Sequence, residues 1–146
     1  MTPQGFGLQF HHLGLAVTQP KQTVRFLDRL GYAIGSEIYD PRQNVNLIWC
    51  THPSMPAVEV ISSTDQPGPL DSYLKHFTEI IYHIGYQTRD VESSLKAMED
   101  AGHRIICISH PKPSILFGES EVSFYMAKGF GLIELIQSEC PSTEYV

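Results

Sequence analysis

Two stretches of the chain place apolar residues at helical spacing. The first covers residues 20–30 and is followed by Gly31, a residue type that commonly ends a helix. The second covers residues 90–101, starts at Asp90, a suitable N-cap, and is followed by Gly102. The apolar positions are Val24, Leu27 and Leu30 in the first stretch and Val91, Leu95 and Met98 in the second. The pattern predicts two amphipathic helices.

Strand-like sequence surrounds each predicted helix. A short run that begins His-aliphatic-Gly precedes each helix, and three β-rich segments follow it. These segments are 32–39, 45–50 and 57–61 in the first half and 104–109, 121–126 and 132–136 in the second. Pro- and Gly-containing turn signals separate them, including a break at His110-Pro111. Each half therefore predicts the order β-α-β-β-β, which is an α+β fold.

The two halves form an internal repeat. His12 and His83 are 71 residues apart (83 − 12 = 71), and so are the helix-ending glycines (102 − 31 = 71). Glu59 and Glu134 lie in the closing strands and are 75 apart (134 − 59 = 75), as expected if the second half contains a four-residue insertion. We predict one domain over residues 1–146, made of modules 8–62 and 79–137. An apolar stripe predicts a linker helix over about 69–77.

The four repeated polar residues predict a metal site. Taken singly, a His in a strand is typical of a structural residue, and a Glu is typical of an edge strand. Glu59 and Glu134, however, lie in aliphatic strands, where a buried carboxylate needs a cation, hydrogen bonds or a metal. Two imidazoles from His12 and His83 and two carboxylates suit Zn²⁺, Ni²⁺, Co²⁺, Mn²⁺ or Fe²⁺. His11 is interpreted as structural, because a regular strand points it to the opposite face.

Composition narrows the possible partners. The formal net charge is −6 with only 10 Lys and Arg residues, which argues against a nucleic-acid surface. No apolar run approaches the roughly 18 residues of a membrane helix, and the N-terminal sequence lacks the features of a secretory signal. Three cysteines without a CxxC pair suggest a reduced, cytoplasmic protein. These observations favour a small-molecule enzyme or a binding module.

At these motifs the chain resembles the vicinal-oxygen-chelate superfamily, which includes glyoxalase I, methylmalonyl-CoA epimerase and extradiol dioxygenases. The matching segments are FHHLGLAV at 10–17, PAVEV at 56–60, YHIGY at 82–86 and GLIEL at 131–135. The resemblance implies two βαβββ modules that form a cupped mixed β-sheet around a metal ion. It implies His12, Glu59, His83 and Glu134 as the ligands, and it implies a homodimer.

The segment PLDSYL at 69–74 resembles the epimerase branch of the superfamily. Two features depart from that branch. Asn46 stands where some epimerases have an additional catalytic Glu, and segment 117–121 is acidic where the branch often has a Gly- and Lys-containing loop. Both departures weaken an assignment to methylmalonyl-CoA itself.

The leading functional hypothesis is a metal-dependent isomerase, epimerase or glyoxalase-type lyase that acts on a small molecule. It would abstract a proton next to a carbonyl through a metal-bound enediolate, with Glu134 as the base and Glu59 in the complementary role. The alternative is a non-catalytic small-molecule-binding protein of the bleomycin-resistance type. Its apolar pocket would be lined by Tyr86, Tyr125, Trp49 and Phe124. A third possibility is an accessory domain whose partner supplies the chemistry.

Overall fold

The structure is a computed structural model that describes residues 4–139. Its contacts divide the chain into two compact units, and the division falls within β1 and β5. We call residues 12–82 the first unit, and residues 4–11 together with 83–139 the second unit. Both combine strands of a mixed sheet with a helix, which confirms the predicted α+β fold with βαβββ modules.

The first unit contains the first four strands. Its elements are β1 (Gln9–Val17), α1 (Pro20–Arg29), β2 (Ala33–Asp40), β3 (Val45–Thr51), β4 (Val58–Ser63) and the short α2 (Asp71–Leu74). The strands lie in the order β2-β3-β4-β1. β1 pairs with β4 in parallel, and the other pairs are antiparallel.

The second unit repeats this arrangement. Its elements are an N-terminal turn (Gln4–Gly7), β5 (Glu79–Thr88), α3 (Val91–Asp100), β6 (Ile105–Pro113), β7 (Glu121–Ala127) and β8 (Gly131–Gln137). The strands lie in the order β5-β8-β7-β6. β5 pairs with β8 in parallel, and β7 pairs with β8 and β6 in antiparallel fashion.

The two predicted helices are confirmed, and both end at the expected glycines. Gly31 has φ +99° and Gly102 has φ +92°, in the left-handed region that closes a helix at little cost for glycine. The N-terminal caps differ. The Asp90 carboxylate accepts a hydrogen bond from the Ser93 amide at the start of α3, whereas Gln19 makes no side-chain cap at the start of α1.

The predicted break at His110-Pro111 is wrong. β6 continues through both residues to Pro113, and its register with β7 shifts on either side of Ser109. β6 is an edge strand in the order of the sheet, so the missing N–H of a proline interrupts few ladder bonds there. Bulges absorb the irregular pairing, which turn signals in the sequence do not distinguish from a chain reversal.

The helix in the linker region is shorter than the predicted apolar stripe. α2 covers Asp71–Leu74, and helical hydrogen bonds continue only to the amide of Phe77. Leu70 is buried, but Phe77 is 51% exposed. A helix of about one turn does not hold residues i and i+7 on one face against a core, so the stripe ends early.

Each unit has its own apolar core between its helix and its strands. The first core consists of Val17, Leu27, Tyr32, Cys50, Val58 and Val60. The second consists of Val91, Met98, Tyr125, Ile133 and Leu135. Within the described residues, no helix is long and apolar enough to cross a membrane.

Candidate metal and proton-transfer site

In the first unit, His12 and Glu59 lie on the same face of the sheet. Gly14 of β1 is the register partner of Glu59 on the parallel strand β4. Because side chains alternate along a strand, His12, two residues before Gly14, shares the face of Glu59. Gly14 has no side chain, so it leaves space for the imidazole and the carboxylate. Both polar residues are buried, His12 completely and Glu59 with 5% exposure.

The second unit repeats this geometry. Gly85 of β5 is the register partner of Glu134 on the parallel strand β8, and His83 lies two residues before Gly85. His83 and Glu134 are both buried. Their side chains are close, with the Nε2 atom of His83 3.5 Å from the Oε1 atom of Glu134. The same His-X-Gly segment is therefore aligned with a Glu in the same register in both units.

An aromatic side chain packs against the histidine of each His–Glu pair. Trp49 is the cross-strand partner of Glu59, and its ring meets that of His12 edge to face at 5.3 Å between centroids. In the second unit, Phe124 is the partner of Glu134, and its ring meets that of His83 edge to face at 5.2 Å. Such contacts restrict the orientation of the imidazole ring.

The sequence contains a signal for these aromatic contacts that the sequence analysis did not use. Trp49 precedes Glu59 by ten residues (59 − 49 = 10), and Phe124 precedes Glu134 by ten (134 − 124 = 10). The aromatic residues therefore follow the same 75-residue offset as the glutamates. The alternative hypothesis predicts Trp49 and Phe124 in a ligand pocket, whereas in the structure both contact the repeated histidines.

Buried carboxylates are few in the part of the chain that the structure describes. They are Asp40, Glu59 and Glu134. Asp40 has a local explanation, because its Oδ1 atom accepts hydrogen bonds from the amides of Arg42 and Gln43. Glu59 and Glu134 lie in strands whose flanking residues are apolar and buried. Burial of a carboxylate costs several kcal/mol unless a cation or hydrogen bonds compensate it, about 2–7 kcal/mol even for a neutral polar group.

The His83–Glu134 pair fits the requirements of a divalent metal. Imidazole nitrogens and carboxylate oxygens bind such ions at about 2.0–2.2 Å, so two ligands of one ion lie roughly 3–3.5 Å apart. The separation of 3.5 Å between Nε2 of His83 and Oε1 of Glu134 is at the upper end of that range. It also exceeds the usual length of a charge-assisted hydrogen bond, about 2.7–2.9 Å. The donor set and the burial of the pair therefore suit a metal at this position.

Asn46 and Tyr125, two other positions considered in the sequence analysis, lie on the opposite face of their strands from the His–Glu pairs. Asn46 shares its face of β3 with Ile48 and Cys50, which pack in the first core, so it lies on the reverse face from Trp49 and Glu59. Tyr125 packs in the second core, on the reverse face from Phe124. The predicted pocket of four aromatic residues is therefore wrong, because alternation along the strands divides the set between two faces.

His11 is buried and its ring contacts Phe117 at 5.0 Å, which agrees with its interpretation as a structural residue. Phe117 lies in the acidic segment that precedes β7. The Ser114 hydroxyl accepts hydrogen bonds from the amides of Leu116 and Phe117 and so organises that segment. Cys50 is buried, and desolvation raises the pKa of its thiol to about 11, which keeps it protonated and unreactive.

Comparison with known proteins identifies the family. The profile of the Glyoxalase/Bleomycin resistance protein/Dioxygenase superfamily matches residues 11–124, most of the chain. The chain belongs to this superfamily. No curated protein sequence matches it significantly.

Several solved structures share the fold. Methylmalonyl-CoA epimerase from Mycobacterium tuberculosis is similar with a TM-score of 0.74 and 18% identity, over 100% of this chain and 97% of that one. A hypothetical protein from Bacillus halodurans C-125 has a TM-score of 0.75 and 19% identity, over 92% and 97%. A variant of the Streptomyces coelicolor methylmalonyl-CoA epimerase in complex with 2-nitronate-propionyl-CoA has 0.70 and 21%, over 90% and 98%. At these identities the likeness concerns the fold.

Proposed function

We propose that this superfamily member is a divalent-metal-dependent enzyme that moves a proton at a carbon next to a carbonyl, as isomerases and epimerases do. The observation that carries the proposal is the repeated His–Glu pair. Both units bury one imidazole and one carboxylate on the same face of the sheet, in the same register. The two pairs together provide four donor groups. Packing alone does not require buried polar side chains at these positions in either unit.

The proposed metal ligands are His12, Glu59, His83 and Glu134. His12 and Glu59 are the buried donors of the first unit, and His83 and Glu134, which lie beside each other, are those of the second. When bound, a divalent ion supplies Lewis-acid stabilisation of the negative charge that develops on a carbonyl oxygen during deprotonation. Zinc, nickel, cobalt and manganese all suit this donor set.

The two glutamates would perform the proton transfer. Glu134 would accept the proton from the substrate carbon, and Glu59 would exchange a proton in the complementary direction. General acid–base catalysis by positioned groups contributes about 10²–10⁴ in rate.

For the substrate we propose a small carbonyl compound, a thioester or a 2-oxo compound. Structures with this fold include methylmalonyl-CoA epimerases, one of them in complex with 2-nitronate-propionyl-CoA. The acidic segment at residues 117–121 and the net charge of −6 are less favourable for a highly anionic coenzyme, so uncharged 2-oxo compounds belong in the same panel. The cytoplasmic location and the homodimer stay predictions.

Trp49 provides a direct test of metal binding. It is the single tryptophan of the chain and its ring contacts His12, so Co²⁺ or Ni²⁺ bound there should quench its fluorescence. We expect saturable quenching at one equivalent of metal, reversed by a chelator. Replacing exposed His110 with Ala should leave the titration unchanged. Quenching that does not saturate, or that persists in His12→Ala, would contradict the proposed site.

Proton transfer is tested by deuterium incorporation. The metal-loaded protein is incubated in D₂O with the panel of thioesters and 2-oxo compounds, and deuterium at the α-carbon is followed by NMR. Glu134→Gln should lower the exchange rate at least about 100-fold while Trp49 quenching by metal remains. The matched control is Glu99→Gln, which changes the same charge on the exposed surface of α3. Unchanged exchange in Glu134→Gln would remove Glu134 from the role of base.

A further inference from the structure

The second unit contains a cavity on the helix-covered side of its sheet. Its volume is about 350 Å³, near the lower limit of the roughly 300–1,000 Å³ that small-molecule sites occupy. The lining residues come from the N-terminal turn, the five elements β5, α3, β6, β7 and β8, and the turns beside them. The cavity is therefore built entirely by one unit.

The cavity is separate from the proposed metal site. Its floor includes Ile133, which directly precedes Glu134 in β8 and so points to the other face of the sheet. Tyr86, which also lines the cavity, is three residues after His83 in β5 and likewise lies on the reverse face. The sheet itself stands between the two locations.

The repeat explains why the cavity exists. The residues at the equivalent positions of the first unit are Tyr32 for His103 (103 − 32 = 71) and His52 for Ala127 (127 − 52 = 75). Tyr32 is buried in the first core, and its ring contacts that of His52 at 5.0 Å. In the second unit, an exposed His103 and the small Ala127 line the cavity instead. The first unit therefore has two large rings in contact at these positions, whereas the second has an exposed His103 and the small Ala127.

The chemistry of the lining is apolar with one polar end. Met98 and Ile133 are buried and form the inner wall, and Phe130 is 61% exposed at the outer edge. Among the described residues, the charged or imidazole side chains of the lining are Lys128 and His103, and none of these lining residues is a carboxylate. In a protein with a net charge of −6, an opening with a cation and without an acid favours an anionic group.

Two further features fit a ligand site. Burial raises the pKa of the Tyr86 hydroxyl, so this group remains a neutral hydrogen-bond donor within the cavity. The N-terminal turn forms another wall, and the Phe6 ring meets that of His103 edge to face at 5.7 Å. Phe6 has φ +55°, a conformation that costs free energy in a non-glycine residue and that is often found beside ligands.

We propose that this cavity is a second binding site, for a small amphiphilic carboxylate. The apolar body of the ligand lies between Met98 and Ile133, and its carboxylate lies at the outer end, where Lys128 and His103 are available. The site is independent of the proposed metal chemistry on the other face of the sheet.

Calorimetric titration with octanoate tests the proposal on the full-length protein. We expect saturable binding of one octanoate per chain. Lys128→Glu should weaken it about fivefold, as expected for reversing one exposed charge. Lys21→Glu is the matched control, because it makes the same charge change on exposed α1 of the other unit and should have no effect. Octanol, which lacks the carboxylate, should bind more weakly than octanoate.

A second variant places in the cavity the two residues found at the equivalent positions of the first unit. His103→Tyr combined with Ala127→His should reduce octanoate affinity about tenfold or more, a change of about 1.4 kcal/mol or more. Circular dichroism checks that this variant is folded. If it does not fold, the effect of Lys128→Glu on octanoate affinity decides the test, because Lys128 is exposed and its replacement does not disturb the core. Absence of saturable binding to the unaltered protein would overturn the proposal. Equal affinity for octanoate in the unaltered, Lys128→Glu and filled proteins would overturn it as well.

Discussion

The two units are nearly identical on one face of the sheet and different on the other. On one face, each has a histidine, a glycine two residues later, a glutamate aligned with that glycine, and an aromatic ring against the imidazole. On the reverse face, the first unit buries Tyr32 in its core, whereas the second exposes His103 and leaves a cavity of about 350 Å³.

This difference shows that the geometry of the donor residues is constrained more strictly than the apolar packing behind them. A metal ligand must lie within a few tenths of an ångström of its position, so a unit that contributes ligands keeps its donors, register and supporting rings together. Apolar packing accepts many combinations of side chains of suitable volume. The reverse face can therefore diverge in the second unit while the donor face remains the same.

The largest expected effect is the loss of metal affinity on removal of an imidazole. His12→Ala and His83→Ala each remove one proposed donor, and each should weaken Co²⁺ binding by more than the 10–100-fold typical of altered supporting groups, that is at least about 100-fold. Calorimetric metal titration measures both variants on the same scale. Comparable losses in the two variants are expected if both units contribute equally.

His110→Ala serves as the control for both variants, because His110 is exposed on the edge strand β6 and has no counterpart in the repeat. A large loss in one histidine variant with wild-type affinity in the other would show that only one unit binds the metal. The repeat would then be structural in the unit that is not affected.

The supporting rings should have a smaller effect. Trp49→Leu and Phe124→Leu keep an apolar side chain but remove the edge-to-face contact with the imidazole. Such contacts contribute about 0.5–1.5 kcal/mol beyond burial. We expect metal affinity to fall about tenfold, with both variants folded. Trp49→Phe should restore most of the loss, and an equal deficit in Trp49→Phe and Trp49→Leu would exclude an aromatic positioning role.

The contribution of the two reverse faces to stability can be compared with one substitution in each unit. The Tyr32 hydroxyl donates a hydrogen bond of 2.7 Å to the carbonyl oxygen of Pro56 in the first unit. Tyr32→Phe removes this bond and should lower the free energy of unfolding by about 1 kcal/mol. His103→Phe, at the equivalent exposed position of the second unit, should change it little. Urea denaturation of both variants makes the comparison, and an equal cost would show that the two faces are packed alike.

Much of the fold could be predicted from local patterns. The amphipathic spacing of α1 and α3, with Gly31 and Gly102 after them, requires nothing beyond helix periodicity and the backbone freedom of glycine. The βαβββ order followed from the repeat. The alignment of each Glu with a Gly of the parallel strand depends on strand register, which the residue types alone do not specify.

The errors concern long-range structure. The continuation of β6 through Pro111 depends on its edge position, which only the strand order reveals. The pocket of four aromatic residues failed because Phe124 and Tyr125, as neighbours in a strand, point to opposite faces. The cavity was not predicted, since it depends on the volumes of non-adjacent residues rather than on any periodic pattern.

The smallest expected effect distinguishes the N-terminal caps of the two helices. Asp90 accepts hydrogen bonds from the amide and the hydroxyl of Ser93, and these bonds lower the pKa of its carboxyl below its ordinary value. The folded protein therefore binds fewer protons at this group than the unfolded chain does. The stability from this cap is complete above the ordinary pKa of about 3.9 and is lost as the pH falls through the lower pKa of the folded state.

Asp90→Ala should accordingly lower the melting temperature at pH 7 by a few degrees at most, and the deficit should diminish as the pH falls below about 4. Gln19 occupies the equivalent position before α1 and makes no side-chain cap there, so Gln19→Ala should show neither effect. Thermal unfolding of the three proteins between neutral and acid pH measures the difference. A deficit in Asp90→Ala that is the same at both extremes would mean that the charge of the carboxylate does not contribute to the cap. The pH dependence thus separates two contributions to the change in stability. The interaction of the Asp90 carboxylate with the amides and the dipole of α3 depends on pH, whereas the helix propensity of alanine does not.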